Sequence, residues 1–81
     1  MRETIVAMMQ RIATESGKTL DATLAEETPL LQSGLDSLDF AILVARLERE
    51  LGEDPFAALE TPVYPKTLGE LTNIYESHFQ N

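Results

Sequence analysis

Thr28-Pro29-Leu30-Leu31-Gln32-Ser33-Gly34-Leu35-Asp36-Ser37-Leu38-Asp39-Phe40 is the stretch in which a loop becomes a helix. Pro29 and Gly34 punctuate its first half and keep it out of regular structure. From Ser37 onward the apolar residues recur at helical spacing. At 100° per residue, Phe40, Leu43, Val44, Leu47 and Leu51 fall within one arc of about 100°, which is a sufficient core face. The spacing predicts a helix over Ser37 to Leu51, with Asp36 as its N-cap and Gly52 closing it. Ser37 then stands where open amides and the positive end of the helix dipole favour a phosphate ester. By position alone, a serine or aspartate at a helix start is more often just a cap.

The rest of the chain also reads as helical, with no alternation sustained enough for a sheet. Ile5, Met8, Met9 and Ile12 mark a first helix that ends after Ser16 at Gly17. Residues 17 to 35 form a long loop pinned by Leu20, Leu24, Leu30 and Leu31; loops of this length in compact domains are often functional. Asp54-Pro55-Phe56-Ala57-Ala58-Leu59 predicts a short third helix, with Pro55 at its first position. Pro62 and Pro65 confine Thr61 to Lys66 to an extended connection. Thr67-Leu68-Gly69-Glu70 has capping-box spacing and opens a last helix carrying Leu71, Ile74, Tyr75, His78 and Phe79. The expected fold is all-α, a small antiparallel bundle of three longer helices and one short helix with a long loop after the first. Residues 1–81 are read as a single domain.

Composition narrows the function classes. The 81 residues carry 14 Asp and Glu against 6 Lys and Arg, a net charge of −8 that argues against nucleic acid as a partner. Residues 21 to 60 hold ten acids and only two bases, Arg46 and Arg49, so that stretch alone accounts for the net charge. Such a localised field steers basic partners, although a plain solvated surface has the same composition. An apolar content of 43% predicts a folded core. The absence of cysteine excludes a disulfide framework and a thiolate nucleophile. The longest apolar run, Phe40 to Ala45, is far below the roughly 20 residues of a membrane-spanning helix. Ile5 to Met9 is cut short by Gln10 and Arg11 and makes no signal peptide. Together with Met1, this points to a free-standing cytoplasmic protein.

The second helix carries a second apolar arc. Leu38, Ala41, Ile42 and Ala45 face away from the core stripe. Either the short third helix or the loop covers them, or they form a docking surface rimmed by Asp36, Asp39 and Glu48.

The segment from Thr28 to Phe40 resembles the attachment segment of acyl carrier proteins, whose Asp-Ser-Leu is here Asp36-Ser37-Leu38, with the family's glycine at Gly34. Length, charge, helix order and the long first loop extend the likeness over essentially the whole chain. The resemblance implies a 4′-phosphopantetheine arm on Ser37, placed there from coenzyme A by a phosphopantetheinyl transferase using Mg²⁺. Cargo would ride as a thioester on the arm's sulfur, which the chain itself lacks. Asp36 would contact the transferase and help place the metal. Leu38 and the following turns, with Asp39, Ala41, Ile42, Ala45 and Glu48, would be read by partners. Those partners are an acyl-loading ligase or acyltransferase and downstream acyl-using enzymes, and a shuttle of this kind is expected to be a monomer. The family also sheathes part of an acyl chain between its helices, a role open to the Leu and Ile lining here.

The chain departs from the family on the recognition helix. Ile42 replaces a usual acid, and Arg46 and Arg49 interrupt the later negative face. Docking should accordingly be more apolar and less salt-sensitive, which points to dedicated partners in a secondary-metabolite or modified-sugar pathway. An aminoacyl or peptidyl carrier is the near alternative, and an unmodified acidic helical adaptor the more distant one. Intrinsic catalysis is not expected. His78 is the only histidine and lies on an apolar stripe, no nucleophile elbow surrounds Ser37, and residues 48 to 54 lack calcium-loop spacing.

Overall fold

A computed structural model describes residues 1–59 and 64–79. Among these residues three α-helices, α1 (Arg2–Glu15), α2 (Ser37–Leu51) and α3 (Leu68–Phe79), enclose one core, and a 3₁₀ turn, Leu30–Gln32, interrupts the long loop. Among the described residues there is no β-strand, only an isolated bridge between Pro29 and Thr67.

α1 ends as Gly17 requires. Gly17 adopts φ +70°, its N–H bonds the Thr14 carbonyl, and the Lys18 N–H reaches back to the Ala13 carbonyl at 2.8 Å. This paired closure turns the chain sharply at the helix end. It sends Ser16 and Lys18 toward the start of α2, so α1 and α2 run antiparallel. Farther along the same seam Arg46 clasps Glu15 with two bonds of 2.9 and 2.6 Å.

The core is filled from every element. Ile5, Met8, Met9, Ile12 and Ala13 of α1 meet Leu43 and Leu47 of α2 and Leu68, Leu71 and Tyr75 of α3. Leu20, Leu30 and Leu35 plug the loop into this cluster, and Leu24 packs partly against it. Leu31, expected as a fourth pin, points to solvent at 63% exposure, because the 3₁₀ turn directs only Leu30 inward. The middle of the loop is tied to the start of α3 by backbone bonds, Leu30 N–H to the Lys66 carbonyl and Leu68 N–H to the Thr28 carbonyl. Closing the loop this way fixes the residues that lead into α2.

The short third helix is not regular. Asp54 caps the Phe56 N–H, and Ala57, Ala58 and Leu59 bond three residues back, giving a run of turns. A helix this short gains too few i→i−4 bonds to repay nucleation. The segment still packs: Pro55 is buried, and Phe56 meets Tyr75 edge-on at 6.0 Å. Part of the extended connection expected over Thr61 to Lys66 lies outside the described residues. The opening of α3 follows the expected cap, with the Thr67 hydroxyl accepting the Glu70 N–H at 3.2 Å. The Glu70 carboxylate accepts from the Lys66 N–H, one residue earlier than a full capping box would place it. No described helix is long and apolar enough to cross a membrane.

Candidate functional site at the start of the second helix

The Asp36-x-x-Asp39 spacing produces a closed capping box. The Asp36 carboxylate accepts from the Asp39 N–H at 2.9 Å, and Asp39 returns a bond from the Asp36 N–H at 3.2 Å. Two aspartates therefore do the capping, and Ser37, the first helical residue, does not. Its side chain lies at the exposed surface. As the first two residues of the helix, Ser37 and Leu38 also keep amides with no acceptor inside it.

Gly34 sets the approach to this corner. Its φ of +111° is a conformation side chains rarely adopt, and an added Cβ would stand 2.3 Å from the Thr19 carbonyl oxygen. The chain entering α2 therefore lies directly against the chain leaving α1. Next to it Asp21 N–H bonds the Ser33 carbonyl at 2.8 Å, and the buried Ser33 hydroxyl donates to Leu30.

Lys18 fills the space this contact creates. Its ammonium lies 2.8 Å from Asp36 Oδ2 and also bonds Asp39 Oδ2, while the Ser16 hydroxyl donates to Asp39 Oδ1 at 3.1 Å. The Lys18 bond, helped by the Asp39 N–H, holds the Asp36 carboxyl down to about 2. In return the two carboxylates, Asp36 first, raise the Lys18 ammonium above its ordinary value. Asp36 and Lys18 are therefore both charged at neutral pH.

The expected partner-facing residues separate into two groups. Asp36, Ser37, Leu38, Ala41, Ala45 and Glu48 are exposed, with Leu38 at 67%, and Ile42 is half-buried and packs partly on the core. Asp39 is not a rim residue: it is only 3% exposed, because its carboxylate is turned inward to Lys18, Ser16 and the Asp36 amide. Nor does Arg46 interrupt an outward negative face, since its guanidinium is engaged by Glu15 on α1. Lys18 and Ser16 were missed by reading α2 alone. The available signal was the capping-box spacing of Asp36 and Asp39 beside a lysine that follows a helix-stopping glycine. His78, half-buried, stacks edge-on with Phe79 and lies 3.6 Å from Glu53, far from Ser37 in the chain. Among the described residues no group of three or more His, Cys, Asp or Glu is placed to hold a metal ion.

The model of the phosphopantetheine attachment site family matches residues 4–59, well over half of the chain. The chain belongs to that family. No curated protein and no solved structure gives a significant match. A phosphopantetheine carrier domain is not itself an enzyme; it receives its arm from a phosphopantetheinyl transferase and presents cargo to acyl-handling enzymes. The corner around Ser37 fits such an arm. It offers an exposed primary hydroxyl that is not consumed as a cap, two free helix amides, and a lysine that offsets the neighbouring acids.

Proposed function

We propose that the carrier takes its arm on Ser37 and shuttles an acyl group, or a related carboxylic acid, between partner enzymes. The observation that carries this reading is the exposed Ser37 hydroxyl at the first position of α2, with the capping role assigned to Asp36 and Asp39. Asp36, 60% exposed at its side chain, faces the incoming transferase. Asp39 acts from behind it. When bound, the arm supplies the terminal thiol on which cargo rides as a thioester, and the protein's residues supply position and recognition. Leu38, Ala41, Ala45 and Glu48 form the docking strip beside the serine, an apolar center with a charged edge.

Incubation with coenzyme A, Mg²⁺ and a broad-specificity phosphopantetheinyl transferase, read by intact-protein mass spectrometry, tests the reading. A gain of one phosphopantetheinyl group in the wild type and none in Ser37→Ala is expected. No gain in the wild type with an active transferase would favour an unmodified helical adaptor. The single glycine of Gly34-Leu35-Asp36 supports an acyl rather than an aminoacyl cargo. Ile42 and Arg49 on α2 support dedicated partners in a secondary-metabolite or modified-sugar pathway. Equal and efficient loading by housekeeping fatty-acid enzymes would remove that last inference.

A further inference from the structure

We infer that Lys18 is a positioning residue for arm attachment, holding the first turn of α2 closed so that Ser37 is presented on a formed helix. The inference rests on Ser37 being the attachment site. It starts from a charge problem. The capping box sets two carboxylates, Asp36 and Asp39, each on the other's backbone N–H at the same helix mouth, and the second is almost fully buried. Like charges this close oppose each other, and a buried carboxylate without a cation is costly.

Lys18 is the cation placed on both of them. Its ammonium bonds Asp36 Oδ2 and Asp39 Oδ2, and it is delivered there by the Gly17 turn at the end of α1. Ser16 contributes a neutral hydroxyl to the other Asp39 oxygen. The next charged pair along the α1–α2 seam, Glu15 with Arg46, is engaged with itself and offers no spare cation. Removing the Lys18 charge leaves two carboxylates and one hydroxyl at the mouth of the helix. The box then opens, and the fraction of molecules with a formed first turn falls. A transferase that reads Asp36-Ser37-Leu38 on a helix start binds only that fraction. Its apparent KM for the carrier therefore rises while kcat, measured at saturation, stays put.

The test is steady-state modification of the full chain by one transferase with coenzyme A and Mg²⁺, comparing wild type, Lys18→Met, Lys18→Arg, Asp39→Asn and the double variant K18M/D39N. Circular dichroism establishes that each is folded at the assay temperature. Lys18→Met is expected to raise KM roughly fivefold, the fraction with a formed first turn falling to about one fifth, with kcat unchanged. Lys18→Arg keeps the cation and should stay near wild type. In K18M/D39N the asparagine oxygen can still accept the Asp36 N–H without a second charge, so KM should return most of the way. A Lys18→Met KM within twofold of wild type overturns the inference and leaves the Ser37 reading standing. A double variant as impaired as Lys18→Met overturns it as well, because the like-charge argument would then be wrong. A wild-type protein that takes no arm overturns both.

Discussion

Gly34 and Tyr75 show how much a single position contributes here. Any side chain at Gly34 meets the Thr19 carbonyl and must also hold φ +111°. Gly34→Ala should therefore cost roughly 2–4 kcal/mol, read as a lower midpoint in urea unfolding, with slower modification of Ser37 because the same contact sets the entry to α2. Tyr75 behaves in the opposite sense. It has no exposed surface, and its hydroxyl finds no hydrogen-bond partner among the described residues. Tyr75→Phe removes an unsatisfied polar atom and keeps the ring against Phe56, so stability should be unchanged or higher by about 1 kcal/mol. Loss of more than that in thermal unfolding would show that the hydroxyl is satisfied after all. Burial first, then the charges of Asp54 and Glu48, push the Tyr75 hydroxyl up to about 12. The unfolded chain releases that proton at lower pH than the folded one does. The tyrosine's contribution is thus complete below about pH 10 and is lost as pH rises toward 12. Alkaline unfolding should shift upward in Tyr75→Phe.

At the scale of elements, the start of α2 should titrate. The folded Asp36 carboxyl is held at about 2, below its ordinary value of 3.8, by Lys18 and the Asp39 amide. Its contribution is therefore complete above about pH 4 and disappears as pH falls toward 2. Hydrogen exchange at the Asp39 and Phe40 amides should accelerate over that window in the wild type, and much less in Asp36→Asn. The helices themselves were largely legible in the sequence. The period of Phe40, Leu43, Leu47 and Leu51 together with Asp36 and Gly52 bounds α2 as the structure does, because stripe and caps are local signals. The Asp54–Pro55 cap signal predicts a helix where the structure has a run of turns, since length decides whether a capped segment propagates. Burial of Asp39 was not legible. Its helical position places it away from the outward face, yet only the return of α1 through Gly17 brings Ser16 and Lys18 over it, and that is tertiary information.

For the whole molecule, the exposed strip of α2 decides how partners are met. Leu38, Ala41 and Ala45 stand open, and Arg46 is withdrawn to Glu15, so the face is more apolar than the charge of −8 implies. Leu38→Ala should lower kcat/KM for the transferase about tenfold, the scale of truncating one central apolar contact, while leaving the fold intact because the side chain is 67% exposed. Raising salt from about 50 to 500 mM should slow modification only a few-fold, since screening acts on the charged rim and spares the apolar contact. A steep salt dependence together with an indifferent Leu38→Ala would assign recognition to the acids instead.

The position of the arm is the most direct measurement. Protein isolated from its native host, digested with trypsin and sequenced by tandem mass spectrometry, yields a peptide from Thr19 to Arg46 that contains Ser33 and Ser37. One phosphopantetheinyl group localised to Ser37 is the expected result. An arm found on another residue, or that peptide recovered only in unmodified form from cells with an active transferase, would contradict it.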